Sequence, residues 1–162
     1  MKMTYQRFIK KICALIYIAT FATAATAQDG DVLLDVAVGD THHEFTIEDL
    51  QALPATTIET TTIWTDGLQS FEGVSLRALL DTLDVTEGVI EATAINDYSV
   101  TIPMSDATED GPIIAYLNNE EPMSRRGKGP LWIVYPYDSN LKYQTETIYS
   151  RSIWQLDRLS IK

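Results

Sequence analysis

Met123-Ser-Arg-Arg-Gly-Lys-Gly-Pro-Leu-Trp-Ile-Val-Tyr-Pro-Tyr-Asp138 packs three cations and two glycines between Arg125 and Gly129, then a proline, then an apolar aromatic run. The pattern predicts a donor-rich loop feeding a buried strand over residues 131–135. Glycine lets backbone N–H groups come close to a ligand, and arginine presents a planar fork of donors to an oxygen- or nitrogen-rich partner. A solvated basic loop in front of a core strand has the same composition. The charge distribution around the loop favours a binding role.

The sequence has a formal charge of −11 and a single cysteine, Cys13. Residues 28–124 hold 20 acids and one base, Arg77, whereas residues 125–162 hold three acids and seven bases. A net −19 segment would repel phosphates, which argues against nucleic acid as a partner. Solubility alone does not call for gathering the bases into the last quarter of the chain.

Residues 1–27 read as a secretory signal: Lys2, Arg7, Lys10 and Lys11 in front, an apolar stretch from Ile12 to Ala22, then Ala25-Thr-Ala27 as a cleavage site before Gln28. The apolar run is too short to anchor in a bilayer, and no later stretch reaches the roughly 20 apolar residues a span needs. The expectation is an exported chain of one domain, residues 28–162, not inserted in the membrane. Cys13 would leave with the signal, so no thiolate would remain as nucleophile or metal ligand. His42 and His43 have no third ligand at a suggestive spacing, so no metal site is expected.

The rest of the chain reads as β-rich with two or three short helices, an α+β domain of mixed sheet. Val32 to Val38 is a β-branched strand, followed by a loop carrying His42 and His43. Thr46, with Asp49 three residues on and Ile47, Leu50 and Leu53 at helical spacing, predicts a capped helix ended by Pro54. Residues 55–65 alternate as a long strand, with Trp64-Thr-Asp-Gly67 as its exit turn. Phe71-Glu-Gly-Val74 leads into a second helix, capped by Ser75, whose Leu76, Leu79, Leu80 and Leu83 form a core stripe. Strands over 89–95 and 99–102 flank the bend Asn96-Asp-Tyr98. Ser105 to Asp110 forms a helical turn or loop. Strands follow over 113–117 and 131–135, then a polar excursion over 138–146 and a last strand over 153–161.

No catalytic constellation emerges. There is no G-x-S-x-G, and no glycine-rich phosphate loop stands between a strand and a helix. What remains is a series of polar-aromatic strand exits: Trp64 to Gly67, Asn96 to Tyr98, Arg125 to Gly129, Tyr135 to Asp138 and Tyr149 to Arg151. Together they offer stacking rings, carboxylates and cations suited to a flat, polar heteroaromatic ligand. Trp132 and Trp154, inside apolar strands, read as core. Asp97 is either a ligand for such a ring or simply the residue that holds its bend.

The residues also resemble a known family. Phe71-Glu-Gly-Val-Ser-Leu-Arg-Ala-Leu-Leu80, Ile95-Asn-Asp-Tyr98 with Ile102-Pro103, and Ala115-Tyr-Leu-Asn-Asn-Glu-Glu-Pro-Met123 come first. Arg126-Gly-Lys-Gly-Pro130 with Val134-Tyr-Pro136, and Ser150-Arg-Ser-Ile153, complete the series. In order and spacing, over about residues 45–161, they resemble the sulfite oxidase-like molybdopterin-binding domain. The resemblance implies that fold. In the family's enzymes a cysteine near the end of the strand equivalent to residues 58–65 ligates molybdenum, and this chain has none there.

The short exported form resembles the small periplasmic pterin-binding proteins. That likeness implies a periplasmic protein that binds a free, metal-free pterin, with no molybdenum and no catalytic residue. It further implies a partner, the periplasmic part of a membrane-bound diguanylate cyclase or phosphodiesterase, and a link from pterin level to cyclic-di-GMP and biofilm behaviour. In this reading Trp64 or Tyr137 stacks on the pterin and Asp66 or Asp97 pairs with its amino edge. Arg125, Arg126 and Arg151 ring the pocket, the Gly127–Gly129 backbone closes over it, and Asn96, Tyr98, Asp138 and Ser150 complete its lining. Two competing readings are a molybdopterin-dependent oxidoreductase subunit with a non-cysteine ligand, and an interaction domain whose pocket has closed.

Overall fold

The computed structural model describes residues 30–162. The expected signal over 1–27, with Cys13, lies outside them. Strands β1 (Leu34–Val38) and β2 (Thr41–Phe45) form a hairpin turned at Gly39, whose φ of 59° suits glycine. His42 and His43 are thus in an edge strand rather than a loop. The pairing with β1 overrides their weak strand signal, and the His42 ring lies 2.9 Å from the Asp35 carboxylate.

Helix α1 (Ile47–Ala52) starts as expected. Asp49 N–H donates to the Thr46 hydroxyl, and the Asp49 carboxylate accepts from Thr46 N–H at 2.9 Å. The Thr46 hydroxyl and backbone N–H bonds hold the Asp49 carboxyl below its usual pKa. After Pro54 comes β3 (Ala55–Thr61), shorter than the predicted run to residue 65. It turns into β4 (Leu68–Ser75), which passes directly into α2 (Leu76–Thr82).

Phe71 to Val74 therefore belongs to a full strand, not to a leader. Gly73 hid that strand in the sequence, and the fold explains the glycine. β4 carries an irregularity between Glu72 and Gly73 where it meets β7 (Ile113–Asn118), and a Cβ on Gly73 would lie 2.1 Å from the Ile114 carbonyl oxygen. Ser75 occupies the α2 N-cap position but its hydroxyl makes no capping bond, a departure from the expected cap. The leucine stripe behaves as predicted, with Leu76, Leu79 and Leu80 fully buried.

Strands β5 (Val89–Ala94) and β6 (Ser99–Pro103) form the predicted hairpin, and Asp97 takes a φ of 64° at its tip. A single 3-10 turn, Met104–Asp106, follows. Beyond β7 come the two-residue β8 (Glu121–Pro122) and the short β9 (Trp132–Val134). Across the stretch read as a polar excursion over 138–146 run 3-10 turns over Tyr137–Ser139 and Leu141–Tyr143, and at its end starts α3 (Glu146–Arg151), a helix the sequence reading did not assign. Only Ile148 of α3 is buried, so no apolar stripe announces the helix. The last strand, β10 (Leu156–Ile161), starts three residues later than predicted because Gln155 adopts a φ of 53°, which breaks extended structure.

Two five-stranded sheets result. One runs β2-β1-β10-β5-β6, with β1 and β10 parallel and the other pairs antiparallel, which is the mixed sheet expected. The other runs β3-β4-β7-β8, with β9 also paired to β7. Leu34, Val36, Ile90 and Leu159 of the first sheet and Phe71, Ile113, Ala115 and Ile133 of the second are buried in one core cluster.

Candidate functional site

Thr62 and Thr65 set the geometry after β3. Their hydroxyls bond each other at 2.7 Å, and Thr62 Oγ1 accepts from the Trp64 N–H at 3.1 Å. The half-buried Trp64 indole that this turn holds is the hub of an aromatic cluster. Its ring centroid lies 5.8 Å from Trp132, 6.2 Å from Tyr137, 5.8 Å from Tyr149 and 5.6 Å from Trp154, all in edge-to-face contact. Trp132 is only 1% exposed, is backed by Phe71 at 5.1 Å and donates its Nε1–H to the Ser152 carbonyl, so it is core as read from sequence. Trp154 is not. At 37% exposed it forms a wall of a cavity.

That cavity has a volume of about 260 Å³. Trp64, Tyr98, Tyr149 and Trp154 supply its rings, and Asn96, Ser150 and Gln155 its polar groups. Three separate loops meet here. The β5–β6 bend delivers Asn96, whose side-chain oxygen accepts from Tyr98 N–H, and Tyr98, 56% exposed at the mouth. The end of α3 delivers Tyr149 and Ser150. The Ser150 hydroxyl donates back to the Thr147 carbonyl.

The basic loop reaches the site through Gln155. The Gln155 side chain donates to the carbonyls of Arg125 at 2.6 Å and Gly127 at 3.2 Å, and its backbone N–H donates to Lys128 O. The loop is thereby pinned, and Lys128 Nζ sits 5.3 Å from the Trp154 ring centroid and 5.5 Å from that of Trp132. Lys128 is the loop cation placed on the aromatic cluster. Arg125 and Arg126 are exposed and do not line the cavity. The Gly127 carbonyl is occupied by Gln155, so the loop is held against β10's entry rather than folded over the opening.

Other predicted residues fall elsewhere. Tyr137 is 2% exposed and donates its hydroxyl to Ser152 Oγ at 2.6 Å. It supports Trp64 from behind and has no face open for stacking, and burial pushes its phenol well above its ordinary pKa. Asp66 is exposed at the β3–β4 tip, where its carbonyl accepts from Gln69. Asp97 lies outside the cavity in an ion pair with Arg158 at 2.6 Å, so it holds its bend. Asp138 accepts from the Thr61 N–H at 2.6 Å and hydroxyl at 2.9 Å, and these bonds, the backbone one foremost, hold its carboxyl below the usual range. It fastens the Tyr137–Ser139 turn to β3. Arg151 points away from the cavity to Asp106 at 2.9 Å, where the Tyr135 hydroxyl also donates at 2.9 Å.

The structure therefore brings Trp64, Asn96, Tyr98 and Ser150 to one cavity and leaves the predicted carboxylates and arginines outside its lining. Trp154, read from sequence as core, and Gln155 are the residues sequence reasoning missed, while Tyr149 and Lys128 lay in exits it singled out without being given a role in the site. The signal for Trp154 was its neighbour Gln155, a polar residue interrupting an apolar strand pattern. Among the described residues, no group of three or more His, Cys, Asp or Glu is arranged to hold a metal ion. The segment leaving β3, where Thr61, Thr62 and Trp64 stand, presents hydroxyls and an indole and no thiol.

The site is thus a ring-lined cavity where loops from the two sheets meet. The family model of the oxidoreductase molybdopterin binding domain matches residues 27–139, and the chain belongs to that family. No curated protein matches the chain. The matched region contributes Trp64, Asn96, Tyr98 and Lys128 to the site, while Tyr149, Trp154 and Gln155 come from the segment after it.

Proposed function

We propose that the protein is an exported, periplasmic pterin-binding protein that senses a free pterin and passes its occupancy to the periplasmic part of a membrane-bound cyclic-di-GMP enzyme. The observation that carries the pterin reading is the cavity of about 260 Å³ walled by Trp64, Tyr98, Tyr149 and Trp154 in a member of a molybdopterin-binding family. Its size approaches the lower end of small-ligand sites, as suits a fused two-ring ligand without a long tail.

In this reading Trp64 and Trp154 offer the ring contacts. The side-chain amides of Asn96 and Gln155 replace Asp66 and Asp97 as partners of the pyrimidine edge. The Gln155 amide oxygen accepts from the exocyclic amine and the Asn96 amide N–H donates to the ring carbonyl, so a neutral ring is met without burying a carboxylate. Lys128 adds positive potential behind the indoles. The donor set does not suit molybdenum held through a protein thiolate, since no cysteine follows Cys13, and the reading is of a binder rather than a catalyst. The partner and the biofilm link are supported only by the resemblance to the small periplasmic pterin-binding proteins.

Mass spectrometry and fluorescence of small molecules co-purifying with the protein, alongside metal analysis, test the reading. A pterin at near-stoichiometric amount without molybdenum is the expected result. Stoichiometric molybdenum would overturn it in favour of an oxidoreductase subunit. Absence of any ligand, with no binding of added pterins by calorimetry, would overturn it in favour of a closed interaction domain.

A further inference from the structure

We propose that the free edge of β3 is a docking site for an extended, lysine- or arginine-rich segment of a partner protein, which joins the second sheet as an added strand. This inference is independent of what the aromatic cavity holds.

β3 ends the second sheet and pairs with β4 alone, over seven consecutive residue pairs from Ala55↔Val74 to Thr61↔Leu68 with no register shift. Exposed strand edges are normally blunted by lysine, proline, a bulge or short length. β3 has no lysine, proline or bulge in its sequence Ala-Thr-Thr-Ile-Glu-Thr-Thr; Glu59 is its one charge, and the Tyr137–Ser139 turn hydrogen-bonds to it at Thr60 and Thr61. Among the described strands at sheet edges, β2 and β6 have five residues and β8 has two.

The direction of the open hydrogen-bonding groups follows from one contact. Thr61 N–H points away from β4, because it donates to the Asp138 carboxylate. In an antiparallel edge strand the backbone groups alternate, so those of Thr57 and Glu59 point the same way. Asp138 already makes at one end the kind of bond an added strand would make. The adjoining stretch lies along a groove of about 470 Å³ between Thr56, Thr57 and Ile58 on one side and Asp110, Pro136 and Lys142 on the other.

Charge selects the occupant. Exposed Glu109 and Asp110 line the groove, while the ammonium of Lys142 is laid over the Tyr143 ring at 4.6 Å. A basic extended segment matches both the backbone groups and the acids. A second copy of the chain would bring the same acids to the junction, where like charges across strands destabilise pairing.

The test uses the purified protein and a dansylated peptide, Lys-Val-Lys-Val-Lys-Val-Lys, followed by fluorescence anisotropy. Its Glu-for-Lys counterpart and a version N-methylated at every residue serve as controls. The lysine peptide is expected to bind, and both controls to bind at least tenfold more weakly. Thr57→Pro should cause a similar loss, because proline removes an outward N–H without touching the β4 ladder. Should that variant fail to fold, Glu109→Lys combined with Asp110→Lys leaves the strand intact and should also weaken binding at least tenfold. Absence of binding, equal binding of the N-methylated peptide, or indifference to the charge reversals would overturn the proposal. So would a dimer in sedimentation that Thr57→Pro converts to monomer, which would assign the edge to a second copy.

Discussion

The indoles of Trp64 and Trp154 meet edge to face, with centroids 5.6 Å apart and planes at 82°. Because Trp64 also touches Trp132, Tyr137 and Tyr149, it joins the wall of the cavity to the core behind it. Trp64→Ala should lower stability by about 1–3 kcal/mol, less than a fully buried tryptophan. It should also weaken pterin binding at least tenfold. Trp64→Phe should recover most of the stability. Urea unfolding and calorimetry check the two effects separately, and unchanged affinity in a folded Trp64→Ala protein would remove the indole from the site.

Lys128 and Arg126 stand two residues apart yet differ in placement. Lys128→Ala removes a cation held over two indoles, at a loss of about 0.5–1 kcal/mol. It should lower pterin affinity more than Arg126→Ala does, since Lys128 lies against Trp154, a wall of the cavity, whereas Arg126 is exposed. Equal losses from the two variants would show that the loop acts through its net charge rather than through one placed ammonium.

The difference between these two cations marks where sequence reading stops. The Thr46 cap, the α2 leucine stripe and the β5–β6 bend were legible because each is written in neighbouring residues with a fixed period or turn chemistry. Trp64, Asn96, Tyr98 and Ser150 could be named because they end elements. Which cation of Arg125, Arg126 and Lys128 faces the rings depends on Gln155, distant in sequence and set by its own left-handed backbone. Tyr137 and Arg151 have the composition of site residues, but their partners, Ser152 and Asp106, become visible only once α3 and the Met104–Asp106 turn are folded together.

Asp106 accepts from both the Tyr135 hydroxyl and Arg151, with their exposures low enough that solvent screens the ion pair only in part. Burial foremost, and then the Asp106 carboxylate, drives the Tyr135 phenol well above its ordinary pKa, so it remains a donor at all working pH values. Asp106→Ala should cost about 2 kcal/mol by orphaning a fully buried hydroxyl and releasing Arg151. Arg151 closes α3, which carries Tyr149 and Ser150, so pterin affinity should also fall although none of the three lines the cavity. A double-mutant cycle of Asp106→Ala with Arg151→Met checks the coupling; fully additive losses would show that the ion pair does not position the helix.

Asp138 ties the Tyr137–Ser139 turn to the end of β3, and its bonds from Thr61 lower its pKa from 3.8 in the folded state. A depressed carboxylate contributes stability that is complete above its unfolded value and is lost as pH falls through the folded one. The protein should therefore lose stability below about pH 4, with Asp49, lowered in the same direction by Thr46, contributing to the fall. Asp138→Ala should reduce stability by about 1 kcal/mol at pH 7, a modest figure because the carboxylate is exposed to solvent screening. The gap between wild type and variant should narrow as pH drops from 4 towards 2. Urea denaturation at pH 7 and pH 3 measures it, and a gap that stays constant across that range would mean the turn is held without help from the ionised carboxylate.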